Sequence, residues 1–135
     1  MPYEILEHTG DLRIRITGVT PEELFSEALR GMMNILKKEP EAAGRRVNRS
    51  LSVSSSDLTA LLVDFLSEAL ALSHIHKEIY NKVIFRKFSP NSLEADLEGA
   101  PAEFFDEDIK AVTYHEADVK KDAKGNWSAA IIFDI

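Results

Sequence analysis

Cysteine is absent from the chain, which excludes disulfides, thiolate catalysis and every zinc or iron–sulfur site built on sulfur. Positive charge is in deficit: 16 Lys and Arg against 23 Asp and Glu leave a formal net charge of −7. Gripping a nucleic-acid backbone depends on clustered positive charge, so this balance opposes generic phosphate binding. Long apolar runs are missing too. The longest apolar-rich stretch, Leu58–Leu72, is broken by Thr59, Asp64, Ser67 and Glu68, short of the ~18–20 consecutive apolar residues that span a bilayer. Met1-Pro2-Tyr3-Glu4 carries neither the basic nor the apolar region of a signal peptide. The expectation is a cytoplasmic protein with no membrane partner. Common enzyme fingerprints are also lacking: no Gly-x-Gly-x-x-Gly, P-loop, His-Glu-x-x-His or Gly-x-Ser-x-Gly occurs.

What remains is ordinary globular material. A length of 135 residues matches one compact domain, taken as 1–135, and 44% hydrophobic content is enough for a core without staples. Leu12–Gly18 alternates, with Leu12, Ile14 and Ile16 against Arg13, Arg15 and Thr17, which predicts a strand with one wet face. Thr20-Pro21-Glu22-Glu23 combines a capping threonine, a first-turn proline and an acidic residue at capping-box spacing. Leu24, Phe25, Ala28, Leu29, Met32 and Leu36 then recur at helical spacing, Lys37-Lys38 suit the helix end, and Pro40 and Gly44 close the segment. Val47–Val53 alternates again. Asp57 and the serines before it can cap a second helix striped by Leu58, Leu61, Leu62, Phe65, Ala69 and Leu72. Beyond Val83 the chain reads as β, with a turn at Pro90-Asn91-Ser92, an acidic loop over Pro101–Lys110 and a hairpin about Asp122–Asn126. The fold class expected is α+β: a mixed, mainly antiparallel sheet of about six or seven strands, with two helices packed on one face.

Chemistry-bearing residues are few. His74 and His76 are two apart, so on a helix they diverge and read as ordinary surface residues. Asp11 follows the turn residues His8-Thr9-Gly10 and opens a strand, either as a turn-stabilising side chain or as a carboxylate at a sheet rim. Asp134 follows the apolar run Ala129–Phe133 and precedes the last residue, Ile135. If the first and last segments meet, Asp11, Asp134 and the oxygens of Ile135 make an all-oxygen anionic site suited to Ca²⁺, Mg²⁺ or Mn²⁺. Lys110 enters a strand that carries His115, and both read first as a solvated lysine and a hydrogen-bonded structural histidine.

Five segments in order resemble the archease family across the whole chain: His8-Thr9-Gly10-Asp11, Gly18-x-Thr20-x-x-Glu23-Leu24-Phe25, Leu62–Glu68, Lys110-Ala111-Val112-Thr113-Tyr114-His115 and Ile132-Phe133-Asp134-Ile135. Gly10 stands where alanine is common, and Phe65–Leu70 varies the usual helix motif. The resemblance implies a small protein cofactor of an RtcB-type RNA ligase in tRNA splicing, promoting guanylylation of the ligase histidine and multiple turnover. It implies no catalysis by the chain itself and no direct tRNA binding. It also implies metal ligation by Asp11, Asp134 and Ile135, calcium being the first expectation with magnesium and manganese open. Lys110 falls on an activating lysine, and His8 and His115 lie in motifs where they can support hydrogen bonds. The alternative is a chaperone or modulator of RNA-modification enzymes.

Overall fold

The computed structural model describes residues 2–8, 10–37, 45–114 and 116–135. His115, Lys38, Pro40 and Gly44 from the sequence reading lie outside them. The elements run β1 (Tyr3–His8), β2 (Asp11–Gly18), α1 (Pro21–Leu36), β3 (Val47–Ser54), α2 (Leu58–His76), β4 (Glu78–Ser89), β5 (Ser92–Pro101), β6 (Ala111–Thr113), β7 (Lys120–Lys121) and β8 (Trp127–Asp134).

The α+β class holds, but the strands divide into two antiparallel sheets rather than one mixed sheet. A five-stranded sheet has the order β1-β2-β8-β6, with β7 also on β8, and a three-stranded sheet has the order β3-β5-β4. Both helices touch both sheets, α1 through β1, β2, β8 and β4, and α2 through β3, β4, β5 and β6. The core is therefore shared by all the layers.

Local chemistry accounts for the helix ends. Thr20 Oγ1 accepts the Glu23 N–H at 3.1 Å, while the Glu23 carboxylate reaches back to the Val19 N–H at 3.1 Å. Asp57 caps α2 by accepting the Ala60 N–H at 2.8 Å. The stripe expected on α1 is buried: Leu24, Phe25, Ala28, Leu29, Met32 and Leu36 are all inaccessible. α2 is apolar almost all round, with Leu61, Leu62, Val63, Phe65, Leu66, Ala69 and Leu70 buried. Its 19 residues and mean hydropathy of 1.5 would suit a bilayer by length, yet here that surface contacts the sheets, as in a helix enclosed by protein. Phe25, Phe65, Phe85 and Phe88 join α1, α2 and β4 with ring centroids 5.0–6.4 Å apart. Phe25 and Phe65 are fully buried, and each such ring contributes roughly 1.5–3 kcal/mol.

Among the described residues two charged groups are buried, Lys37 and Glu78, and Glu78 is the more deeply enclosed. Glu78 is 1% exposed and accepts from Arg49 Nε and Nη2, both at 2.9 Å, and from Tyr80 Oη at 2.7 Å. β5 separates β3 from β4, so Arg49 spans a strand to reach its partner. Gly99 lies in that strand, opposite Val47 on one side and Tyr80 on the other.

Candidate functional site

The hairpin at the start of the chain places Asp11. Gly10 has φ +81°, in the left-handed region that glycine occupies without strain, and the turn closes with His8 opposite Asp11. β2 then alternates as its sequence demands, Ile14 and Ile16 being fully buried while Arg15 and Thr17 remain exposed.

β8 runs antiparallel beside β2 without a slip, from Gly18↔Trp127 to Asp11↔Asp134. Burial fixes this register. Ile14 opposes Ile131 and Leu12 opposes Phe133, and a one-residue shift would turn the buried Ile131 and Phe133 outward. Directly opposed residues carry Cβ atoms roughly 4.5–5.5 Å apart on one face. The two aspartates, from opposite ends of the chain, therefore share one end of one sheet face. β6 lies along the other side of β8 and puts Ala111 opposite Asp134. His8, Asp11, Asp134 and Ala111 thus form a single row across the strands.

Within that row the carboxylates differ. Asp134 is exposed, whereas Asp11 is half-buried, and its Oδ1 is enclosed with no hydrogen-bond partner. The turn-stabilising role open to Asp11 does not engage this oxygen. Two positions along, on the same face, Arg13, Ile132 and Thr113 make a further row. Arg13 Nη1 pairs with Glu116 Oε2 at 3.1 Å, while Arg13 Nε and Thr113 Oγ1 are enclosed and unpartnered. Among the described residues, four side-chain atoms are in that condition, and only Glu27 Oε2 lies away from these two rows. Ile135 is half-buried and packs against the core.

Lys110 is joined to the pair by backbone rather than by side chain. Its N–H donates to the Asp134 carbonyl at 2.7 Å, and its side chain is exposed. It stands one residue before β6, outside the strand pairing that aligns Ala111 with Asp134.

Among the described residues, no three His, Asp or Glu side chains converge as a metal cage. The donor set is two carboxylates and main-chain oxygen at Ile135. It fits a hard cation in kind, because Ca²⁺ and Mg²⁺ take oxygen ligands and Mg²⁺ usually retains several waters. Like charges directly opposed on a sheet repel, and an intervening cation reverses the sign. The enclosed Asp11 Oδ1 lacks the hydrogen-bond donor that a buried carboxylate oxygen requires. A surface hollow lined by Tyr3, Glu4, Ile5 and Asn34 lies elsewhere, between β1 and α1. It has less chemistry than the aspartate row, since its only charged side chain is Glu4.

Residues 3–135 match the Archease protein family. The chain belongs to the archease family. Protein archease of Methanosarcina barkeri is 32% identical over 149 residues, covering 98% of this chain and 95% of the relative. That of Methanosarcina mazei is 33% identical over 141 residues with the same coverage. The solution structure of Methanobacterium thermoautotrophicum protein 1598 superimposes with TM-score 0.72 at 24% identity, covering 99% of each chain. A Thermotoga maritima archease described as a possible chaperone gives TM-score 0.66 at 22% identity, covering 96% of this chain and 94% of its own. At those identities the two structures establish the fold. The relatives are named archease or possible chaperone, not as catalysts.

Two side-chain links escaped the sequence reading. His74 is not an ordinary surface residue: its Nε2 lies 3.1 Å from the Ile109 carbonyl, and its ring stacks edge-on to Phe105 with centroids 5.5 Å apart. Tyr114 Oη donates to Asp64 Oδ1, and that bond holds the phenol above its ordinary pKa. Ser55 Oγ donates to the other Asp64 oxygen at 2.5 Å. Tyr114 and Asp64 both lie in segments that carry the family resemblance, and that was the only signal available for them.

Proposed function

We propose that the protein activates an RtcB-type RNA ligase in tRNA splicing, and that the Asp11–Asp134 row presents a divalent cation, calcium first, to the ligase. The observation that carries this reading is the register of β2 on β8, which opposes the two aspartates while Asp11 Oδ1 remains without a donor. Asp11, Asp134 and main-chain oxygen of Ile135 would hold the ion. When bound, it would supply positive charge for phosphate oxygens at the ligase's nucleotide centre.

The chain's own residues do the rest. The Asp134 carbonyl fixes the Lys110 backbone, and the exposed Lys110 ammonium offers a point charge to a phosphate or carboxylate of the ligase. His8 stands opposite Asp11 in the register; a supporting hydrogen bond from it and from His115 is part of this proposal, not of the family resemblance. A net charge of −7 favours docking on a basic protein surface over gripping tRNA.

A chaperone role would call for a contiguous exposed apolar patch. That role predicts suppression of aggregation independent of Asp11 and Asp134, whereas the ligase reading predicts dependence on both. The test is guanylylation of the histidine of a matched ligase, with divalent ions varied. The wild-type protein is expected to stimulate it and Asp134→Ala to fail while remaining folded. Full stimulation by Asp134→Ala would overturn the cation-presenting mechanism, and no stimulation by the wild type would overturn ligase activation.

A further inference from the structure

The Ile109–Lys110 peptide group is held on both of its sides. Its C=O lies 3.1 Å from His74 Nε2 on α2, and its N–H donates to the Asp134 carbonyl at 2.7 Å on β8. A carbonyl can only accept, so His74 Nε2 carries the proton in this contact. One planar unit thus connects a helix side chain to the main chain of the aspartate that faces Asp11. The peptide bond is rigid, so a rotation that loses one of these bonds misaims the other. Ile109 itself is fully buried, which anchors the near side of the unit in the core.

The same helix holds the other end of β6. Asp64 accepts from Tyr114, immediately after β6, and Thr59 Oγ1 accepts the Val119 N–H at 3.0 Å. β6 contributes only Ala111–Thr113 to the sheet, too short a strand to determine its own placement by ladder bonds. α2 therefore shares with β8 the placing of β6 and Lys110 beside Asp134.

We infer that His74 is a positioning residue for the aspartate row, acting through the Ile109–Lys110 peptide on Asp134 and Lys110. This rests on the cation-binding reading of that row. Partners one step behind the ligands of a metal site commonly carry 10–100-fold of its affinity, and His74 occupies such a position with a peptide group in between.

The experiment compares His74→Phe, which keeps an aromatic ring against Phe105 but removes the donor, with His74→Gln, which restores an N–H near the Nε2 position. Ca²⁺ affinity is measured calorimetrically on the full chain, and exchange of the Lys110 amide hydrogen by NMR. His74→Phe is expected to bind Ca²⁺ about tenfold more weakly and to exchange the Lys110 amide faster, while Leu97 amide exchange in the distant three-stranded sheet is unchanged. His74→Gln is expected to recover both readouts. Wild-type affinity in His74→Phe overturns the positioning role while leaving the aspartate site standing. An equal rise in exchange at Lys110 and Leu97 also overturns it, because His74 would then support the fold as a whole. Absence of Ca²⁺ binding by the wild type overturns the cation reading, and this inference with it.

Discussion

Asp11 faces Asp134 across β2 and β8 with no residue between them, and this pairing gives the cation-free protein a built-in repulsion. Like charges directly opposed on a sheet destabilise it by roughly 0.2–1 kcal/mol. Asp134→Asn removes one of the charges while nearly preserving shape. The variant is expected to be slightly more stable than the wild type in chelator, by that amount, and to gain nothing when Ca²⁺ is added. The wild type is expected to gain by mass action, about 2.7 kcal/mol at a hundredfold excess over its dissociation constant. Denaturant titrations with and without Ca²⁺ read both effects: the variant is the more stable protein in chelator and the less stable one in Ca²⁺.

Acid sensitivity is expected to come from Glu78. Hydrogen bonds from Arg49, and then from Tyr80, hold its carboxyl below the ordinary value, although burial works against them. A group whose pKa is depressed on folding stabilises the protein above its unfolded value and loses that contribution as pH falls through the folded one. Stability is therefore expected to be flat with respect to this group above the ordinary carboxylate range near pH ~4.3 and to decline below it. Glu78→Gln should flatten that decline at a cost in stability at neutral pH. Tyr80→Phe removes one bond to the carboxylate and is expected to cost about 1.5–3 kcal/mol. Urea unfolding across pH 3–7, on the order of a dozen points, separates these profiles.

Gly99 is expected to tolerate nothing larger. A Cβ there would lie 1.8 Å from the Ile79 carbonyl oxygen and 2.8 Å from Tyr80 Cα, and both are backbone. Overpacking typically costs about 1–3 kcal/mol, and more where the neighbour cannot move. Gly99→Ala should therefore lose at least ~3 kcal/mol or fail to fold, detectable as a lowered unfolding midpoint. The contrast is Gly10→Ala, where no atom lies within 4 Å of the added Cβ but φ is +81°; the cost there is conformational, about 1–2 kcal/mol.

The parts of the fold legible in the sequence were those governed by near neighbours. Thr20, Pro21 and Glu23 announced α1 because capping operates over three or four residues, and Leu12–Gly18 announced β2 because alternation is local. The division into two sheets was not legible: alternation in β3 or β5 says which residues are buried, but not which strand lies alongside. The chain between the acidic loop and the hairpin about Asp122–Asn126 read as β, whereas β6 stops at Thr113, where Tyr114 turns to Asp64 and Val119 to Thr59. Those partners are 50 and 60 residues away. The aspartate pair was legible only as a conditional statement about the chain's two ends, and the register supplied the condition. His74 was misread because spacing on its own helix was the only guide, and its partner lies 35 residues downstream.

The central claim is that the opposed carboxylates hold a cation, and Ca²⁺ titration of the wild type against Asp11→Asn and Asp134→Asn tests it most directly. The account predicts one saturable site in the wild type, weakened at least tenfold in both variants. Equal binding by all three proteins, or none by the wild type, would contradict it.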